Sequence, residues 1–382
     1  MSTYNRVVAA DETASLAPTV RARLATEMAD PTSEVGTALA STFAPRPITN
    51  STALRLWHTK LARRTQEPVK VMFAGHSLAE GTGATTYDQR ISVVLNANLR
   101  ARYALAGSKY GYITRSYILP APTGLPYTTS GTVVGAQFGL GTRAWQIGAE
   151  ASVSITFTGD RFLLTYTRAG GSGIMGIQID GGAVTLVDTN NAAAAAQALW
   201  DSGAITAGAH TVIITRDATS TNDVYLCALI PYSGDYNTGI RVYDAGHHGA
   251  FITQAVRTQE VTQLLPFGLI VQHWGENDTA MTKNAYKVAY EARLTSYRST
   301  GFTGAFLLLH SPLPTGFNAT VWDGFRDAEA EIADAASDVM VLDLSDYMPA
   351  AGGTLGVHYD SKHFSSLGQA WEADILMRAL MP

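Results

Sequence analysis

Four short apolar runs, separated by helical patterns or longer inserts, constrain the fold of this chain more than any other feature. They are VKVMFAG (69–75), PFGLIVQHWG (266–275), TGAFLLLHSP (303–312) and DVMVLDLSD (338–346). Strands that are apolar throughout are typical of parallel sheets covered by helices on both faces. Their alternation with helices favours right-handed crossover connections. The sequence therefore predicts an α/β fold built on a parallel sheet.

Residues 129–234 have a different pattern of apolar and polar residues. Apolar and polar residues alternate with a period of two in ASVSITFTG (151–159), and further strand-like runs follow between turn-rich stretches. Asp180-Gly181 separates two of these runs and is a hairpin signal. The spacing predicts an antiparallel β-sandwich of about 100 residues. Within it, NNAAAAAQALW (190–200) is low in complexity and is expected to form a loop or a short helix.

These residue patterns divide the chain into three predicted parts. Residues 67–128 and 235–382 form the α/β domain, and residues 129–234 form a sandwich inserted into it, which is expected to be similar to carbohydrate-binding domains. Residues 1–66 form a helical N-terminal segment. Three helices are predicted there, in SLAPTVRARLATEMA (15–29), TSEVGTALASTFA (32–44) and ALRLWHTKLARR (53–64).

Composition and charge limit the classes of partner. Hydrophobic residues make up 46% of the chain and charged residues 15%, which suits a packed core and not a disordered chain. The net charge is −5 and the 27 basic residues form no long run, which argues against a nucleic-acid partner. No stretch reaches the roughly 18 apolar residues needed to cross a bilayer. The single cysteine, Cys227, excludes an intrachain disulfide and is expected to be a small buried hydrophobe.

Two short motifs suggest nucleophilic chemistry. Gly75-His76-Ser77 ends the first apolar strand, where open α/β sheets place their ligands, and the glycine permits a tight turn that exposes the hydroxyl. Asp360 and His363 lie three residues apart ahead of a C-terminal helix. A serine nucleophile needs a neutral imidazole to accept its proton and a carboxylate to stabilise the imidazolium. Taken alone, each motif has a structural alternative, since Ser77 and Asp360 are also good helix caps.

A third motif, Gly275-Glu276-Asn277-Asp278, follows the strand that ends near Trp274. The Asn277 amide can donate a hydrogen bond to a developing oxyanion without any change of charge. The structural alternative is an Asx-turn that closes the strand. Because parallel strands end at one edge of a sheet, we expect the three motifs to converge there.

In this order, the three motifs resemble the sequence blocks of the SGNH (GDSL) hydrolase family. The resemblance covers residues 67–128 and 235–382. It implies a three-layer parallel sheet flanked by helices, serine ester hydrolysis, and no metal or organic cofactor. It also implies that Ser77 is the nucleophile, that His363 is the general base, and that Asp360 orients the His363 ring.

The same resemblance implies an oxyanion hole made of the Ser77 backbone N–H, the Asn277 side chain and a glycine N–H from another block. The candidate for that block is IRVYDAGHHGAF, which follows the sandwich. Three of its residues fit the family pattern Asn-x-Gly-x-x-Gly with Asp in place of Asn: Asp244, Gly246 and Gly249. Gly249 is the favoured donor and Gly246 the second.

The chain departs from the family in its first block, which usually reads Gly-Asp-Ser. The family's Asp is not part of the triad, so His76 need not abolish activity, but it bears on the loop geometry and the pH dependence. Gly275 and Trp274 are further site candidates. Four other histidines come from strand ends or loops, where a metal cluster is the alternative to polar loop or core roles: His247, His248, His273 and His310. Of these, His310 is the best competing base, but it lacks an acid at a helpful spacing.

Two other functional classes stay open. An α/β-hydrolase elbow reads Gly-x-Ser-x-Gly, and Ala79 breaks that pattern here. A non-catalytic, glycan-binding adhesin on a hydrolase scaffold would use the sandwich, although every expected catalytic side chain is present. The favoured substrate is an O-acetylated cell-envelope polysaccharide, and the alternative is a lipid or short-chain carboxylic ester. Three tryptophans are candidates for stacking on sugars, with core packing as the expected role of any one: Trp145, Trp200 and Trp274.

The segment ADPTSEVGTALASTFA (29–44) resembles the leading regions of tail proteins from phages of actinobacteria. It implies a virion-attached enzyme acting on host envelope glycans, as a homotrimer or joined to a tail protein through residues 1–66. The alternative is a plain helical leader that packs on the enzyme. The first residues lack the basic start and apolar stretch of a secretory signal, so a virion protein or otherwise a soluble one is expected.

Overall fold

The computed structural model describes residues 50–192, 195–254, 258–353 and 355–381. Over these residues the chain is a mixed α/β protein with one parallel and two antiparallel sheets. The helices predicted at 15–29 and 32–44 lie outside the described residues, as does most of the segment proposed for attachment.

Over the described residues the chain forms 15 strands and seven α-helices. The strands are β1 (Val69–Gly75), β2 (Tyr127–Ser130), β3 (Val133–Ala136), β4 (Ala144–Ile147), β5 (Ser152–Gly159), β6 (Arg161–Arg168), β7 (Ile174–Ile179), β8 (Val184–Asp188), β9 (Ala196–Asp201), β10 (Gly208–Arg216), β11 (Val224–Tyr232), β12 (Ile240–Gly246), β13 (Leu269–His273), β14 (Ala305–His310) and β15 (Val339–Asp343). The helices are α1 (Ser51–Ala62), α2 (Ser77–Glu80), α3 (Ile91–Arg102), α4 (Thr258–Leu264), α5 (Lys283–Ser299), α6 (Ala319–Ala335) and α7 (Ser366–Leu380). Among these helices, none has both the length and the apolar character needed to span a bilayer.

The four predicted apolar strands, β1, β13, β14 and β15, lie in one parallel sheet with β12 as a fifth strand, in the order β12-β1-β13-β14-β15. Alternate residues of β1 face opposite sides. Met72 and Ala74 pack in an apolar cluster with α5 and α6, whereas Val71 and Phe73 pack in a second cluster with α1, α3 and α7. Helices therefore cover both faces of the sheet, which explains why its strands are apolar throughout.

Between β1 and β12 the chain forms two five-stranded antiparallel sheets, with strand orders β2-β5-β10-β7-β8 and β3-β4-β11-β6-β9. Their inner sides share one apolar cluster that includes Ile155 and Leu226. The hairpin at Asp180-Gly181 is confirmed, because both residues have positive φ and β7 pairs with β8 across them. Cys227 is buried in β11, as expected.

One secondary-structure expectation in this region is wrong. The second half of NNAAAAAQALW is strand β9, not a loop or short helix, and it pairs with β6 along the edge of its sheet. The Trp200 ring packs against the Phe162 ring, with centroids 5.6 Å apart. Cross-strand pairing and packing therefore override the weak strand preference of alanine.

Three neighbouring strands of the parallel sheet end side by side. Gly75 at the end of β1 lies opposite Gly246 of β12 on one side and His273 of β13 on the other. A side chain at Gly75 would meet the His273 carbonyl oxygen at 2.2 Å, so the close approach of the strands requires glycine there. The motif-bearing loops leave the sheet from this edge.

Candidate active site

The Ser77 hydroxyl, the His363 ring and the Asp360 carboxylate form one hydrogen-bonded chain. Ser77 is the first residue of α2, separated from the end of β1 by His76 alone, and its Oγ lies 2.7 Å from His363 Nε2. On the other side of the ring, His363 Nδ1 lies 2.7 Å from Asp360 Oδ2. At these distances an imidazole can take a proton from a hydroxyl while a carboxylate stabilises the resulting imidazolium. The structure thus brings together the three side chains predicted to be catalytic.

A tight turn holds the acid and the base in place. Asp360 Oδ1 accepts hydrogen bonds from the backbone N–H groups of Lys362, at 2.9 Å, and His363, at 2.8 Å. One carboxylate oxygen therefore closes the turn while the other faces the imidazole. The helix that follows, α7, is capped by Ser365, so Asp360 is not a helix cap. His363 is only 6% exposed, unlike the surface histidine of the structural alternative.

The two groups of this pair are held in the protonation states that proton transfer requires. Burial lowers the pKa of the His363 imidazole below its ordinary value of 6.5, although the Asp360 carboxylate opposes this shift. Burial opposes ionisation of Asp360, but hydrogen bonds from His363 and Lys362 hold the pKa of its carboxyl below the ordinary value. Near neutral pH, His363 is therefore a free base beside a charged carboxylate.

We expect kcat/KM to fall as the pH drops through the pKa of His363, with a midpoint below 6.5, because only the neutral ring accepts the Ser77 proton. Initial rates with a soluble ester across the acid range measure this limb. In Asp360→Asn the limb should move to lower pH, since the carboxylate that raises the His363 pKa is lost. A midpoint above 6.5, or a limb that does not move in that variant, would contradict this assignment.

His76, the departure from the family pattern, is completely buried behind the nucleophile. Its Nδ1 accepts the Leu78 backbone N–H at 3.3 Å, so His76 and not Ser77 is the N-cap of α2. Its Nε2 forms a short contact with the Glu276 carboxylate. Burial lowers the pKa of the His76 imidazole, although Glu276 opposes this shift. The pair places the His76 proton on Nε2 and fixes the loop that carries Ser77.

Other buried histidines at this edge also pair with carboxylates. His273 lies between Glu276, at 3.7 Å, and Glu372, at 3.4 Å. His310, the competing base, lies 3.1 Å from Glu329 and belongs to a separate pair. Within the residues that the structure describes, no three His, Cys, Asp or Glu side chains are grouped so that they could hold a metal ion.

The Asn277 amide is held at both ends beside the triad loop. Its Nδ2 donates to the Ala250 carbonyl at 2.9 Å, and its Oδ1 accepts from Lys362 Nζ at 3.1 Å. These partners fix which end of the amide is the donor. Asn277 therefore links the loop of Asp360 and His363 to the segment that carries the candidate glycines.

The two candidate oxyanion glycines have different environments. Gly246 ends β12, and its N–H donates to Asp244 Oδ1 at 3.1 Å. A side chain there would meet the Glu80 backbone N at 2.1 Å, so Gly246 serves the close packing of β12 against α2. Gly249 is exposed in the turn 247–250 and has a φ of +82°. Gly249 therefore remains the better candidate for a free backbone donor.

The turn 247–250 borders the triad. The Ala250 N–H donates to the His247 carbonyl at 3.1 Å, which closes the turn. The His248 ring stacks near the His363 ring, with centroids 6.1 Å apart. We call residues 247–250 the oxyanion turn, after the donor role that the sequence predicts for Gly249.

The remaining site candidates have structural roles. Gly275 has a φ of +124°, and its carbonyl accepts the Asp278 backbone N–H at 2.9 Å in a backbone turn. This turn is not the Asx-turn given as the structural alternative for Asn277, because Asn277 Oδ1 accepts from Lys362 Nζ. Trp274 is 2% exposed and donates to Gln272 Oε1 at 2.6 Å. Trp145 is 1% exposed, so core packing, the role expected of any one of these rings, is confirmed for both Trp274 and Trp145.

Sequence reasoning missed Glu80 and Arg143. Arg143 Nη1 lies 3.0 Å from Glu80 Oε1, and its Nη2 lies 2.7 Å from Asp244 Oδ1, with all three side chains buried. Glu80 follows the serine motif by three residues, but Arg143 lies 63 positions away, among the antiparallel strands of residues 127–232, which we call the antiparallel region. No local pattern joins two such positions.

The fold has relatives among solved structures, although no protein-family model and no curated protein matches the sequence. A peptidoglycan O-acetylesterase has a TM-score of 0.63 and 15% identity, covering 86% of this chain and 95% of that one. A family two carbohydrate esterase from Clostridium thermocellum, in complex with cellohexaose, has a TM-score of 0.33 and 12% identity, covering 66% and 97%. A salicylyl-acyltransferase from a tetracycline biosynthetic pathway has a TM-score of 0.34 and 12% identity, covering 68% and 95%. The first likeness shows a shared fold over most of both chains.

Proposed function

We propose that this chain is a serine ester hydrolase of the SGNH type that removes O-acetyl groups from a cell-envelope polysaccharide. The observation that carries the proposal is the Ser77–His363–Asp360 chain, with 2.7 Å at both links. The fold shared with a peptidoglycan O-acetylesterase supports an acetyl ester on a glycan as the substrate class.

The reaction follows from the geometry as two acyl transfers. His363 Nε2 takes the Ser77 proton while Oγ attacks the ester carbonyl, and Asp360 stabilises the imidazolium. The tetrahedral intermediate collapses, and His363 protonates the departing sugar hydroxyl. Water then attacks the acetyl–Ser77 ester with His363 again as base, which releases acetate and restores the serine.

The developing oxyanion is assigned to the Ser77 backbone N–H, the Gly249 N–H and Asn277 Nδ2. The Nδ2 group carries two hydrogens, of which one binds the Ala250 carbonyl, so the other can serve the substrate. Each such donor is typically worth about 3–4 kcal/mol in the transition state. Lys362 supports this assignment because its Nζ binds Asn277 Oδ1 at 3.1 Å, which leaves Nδ2 as the end of the amide that can donate to a substrate.

Acetate release from an O-acetylated bacterial wall polysaccharide tests the substrate class. We expect release by the wild type, none by Ser77→Ala, and none from the same polysaccharide after alkaline deacetylation. p-Nitrophenyl esters of increasing chain length should show a preference for acetate. A preference for long acyl chains would instead indicate a lipid esterase, and a folded protein that binds the glycan without turnover would indicate an adhesin.

A virion-attached role, as a homotrimer or through a tail protein, also remains a proposal. Its support is the resemblance of residues 29–44 to the leading regions of phage tail proteins. The structural relatives add nothing to that support.

A further inference from the structure

We infer that Glu80 is a positioning residue that ties the nucleophile helix to the oxyanion turn, and that the antiparallel region holds it there through Arg143. The two antiparallel sheets would then complete the active site, whether or not they bind glycan. This role rests on the proposed function, since an oxyanion turn matters only if an oxyanion forms.

Glu80 ends α2, three residues after Ser77, and is completely buried. Its Oε2 accepts the His248 backbone N–H at 2.7 Å. Its Oε1 accepts the Tyr117 backbone N–H at 2.7 Å and lies 3.0 Å from Arg143 Nη1. One carboxylate therefore connects the nucleophile helix, the oxyanion turn and two segments of the polypeptide between β1 and β12.

The bond to His248 constrains the candidate donor directly. The His248 N–H belongs to the peptide plane that precedes the one carrying the Gly249 N–H, and only the φ and ψ bonds of His248 separate the two planes, so anchoring the first plane narrows the range of positions open to the second. Gly249 has a φ of +82°, and glycine gives such a turn little stiffness of its own. An external anchor is therefore needed to hold the Gly249 N–H in one direction.

The charges around Glu80 keep it an acceptor at both oxygens. Burial opposes ionisation, but Arg143 and Arg90 hold the pKa of the Glu80 carboxyl below its ordinary value. Arg143 Nη2 also lies 2.7 Å from Asp244 Oδ1, and Arg90 Nη1 lies 3.7 Å from Asp244 Oδ2. Two buried guanidinium groups thus balance two buried carboxylates.

A second set of contacts holds the oxyanion turn from the same side. His247 Nδ1 lies 2.5 Å from the Gly141 carbonyl oxygen and 3.0 Å from Thr142 Oγ1. The Tyr117 ring stacks on the His247 ring, with centroids 4.9 Å apart and 26° between their planes. The His247 N–H donates to the Gly75 carbonyl at 3.0 Å. The turn is therefore clamped between β1 and the segments around the antiparallel sheets.

The decisive variant is Glu80→Gln in the full chain. Glutamine keeps the volume and one carbonyl oxygen, which stays on Arg143 and the Tyr117 N–H, but its NH₂ group cannot accept the His248 N–H. We expect kcat to fall about 10- to 100-fold, because a misplaced oxyanion donor weakens transition-state binding. KM should change little, and the acid limb of kcat/KM should stay in place, because His363 and Asp360 are untouched.

Glu331→Gln is the matched control, since Glu331 pairs with Lys283 and Lys287 on the surface of α6. It should have the kcat of the wild type. A Glu80→Gln enzyme with wild-type kcat would overturn the inference. A fall in kcat with a displaced acid limb would do the same, because it would place the damage at His363.

If Glu80→Gln does not fold, Thr142→Val decides the question. It removes the hydroxyl that lies 3.0 Å from His247 Nδ1 and donates to the Gly141 carbonyl at 2.7 Å, and it should lower kcat about threefold in a protein that stays folded. An unchanged kcat in that folded variant would count against the inference. Turnover retained by Ser77→Ala would end the proposed function and this role together, whereas an inactive Ser77→Ala with fully active Glu80→Gln and Thr142→Val would end this role alone.

Discussion

Replacing Ser77 with alanine should lower kcat about 10⁴- to 10⁶-fold and leave the fold intact. The hydroxyl lies 2.7 Å from the His363 base, and alanine has no oxygen with which to bond the acyl carbon. Alanine favours helix, and the cap of α2 comes from His76, so the local structure does not depend on the hydroxyl. Initial rates with p-nitrophenyl acetate, together with circular dichroism, measure both parts of the prediction.

The way in which the losses of kcat combine among the triad variants is as informative as their size. His363→Ala should cost about as much as Ser77→Ala, and the double variant should cost no more than either, because the two groups act in one step. Asp360→Asn should cost less. Asp217→Asn is its matched control, because Asp217 Oδ1 accepts the Thr219 N–H at 2.9 Å in a similar turn on the surface. Additive losses in the double variant would mean that Ser77 and His363 do not act as a unit.

The convergence of the triad could be predicted from the sequence, even though Ser77 and His363 are 286 positions apart. Each apolar strand can be recognised from its own residues, by its length and its lack of polar side chains. Parallel strands then all end at one edge, so residues that follow different strands are brought near one another by topology alone. The three-residue spacing of Asp360 and His363 is compatible with their pairing, but the spacing alone leaves a helix cap as the alternative, and the family resemblance decides between the two.

The groups that support the triad could not be found in this way. His76 meets Glu276 across 200 positions and Glu80 meets Arg143 across 63, and neither pair belongs to a periodic pattern. A charged residue in a sequence indicates a surface position unless its partner is known, and the partner here comes from another part of the fold. Strand β9 was missed for a related reason, since its pairing with β6 and not its alanines decides its conformation.

Arg143→Met should destabilise the protein by about 3–5 kcal/mol, the usual cost of removing one partner from a buried ion pair. Methionine fills part of the volume, but Glu80 and Asp244 would lose the guanidinium that lies 3.0 Å and 2.7 Å from them. Urea unfolding measures the loss. Arg161→Met is the matched control, because Arg161 forms a partly exposed pair with Asp201, and it should cost less than about 1 kcal/mol.

The pH dependence of the stability of Arg143→Met distinguishes the contribution of the Arg143 charge from that of its packing. Burial raises the pKa of the Asp244 carboxyl and opposes ionisation of Glu80, while Arg143 lowers the pKa of both, so its removal lets both pKa values rise in the folded state. When a carboxyl has a higher pKa in the folded state than in the unfolded state, the free energy of unfolding of the protein falls as the pH rises above the unfolded-state pKa. The loss in the free energy of unfolding caused by Arg143→Met should therefore be largest near neutral pH. It should shrink as the pH falls through 4.5, the ordinary pKa of a Glu carboxyl. A deficit of the same size at every pH would mean that Arg143 contributes packing alone, and the buried charges would then not be what holds the antiparallel region against the active site.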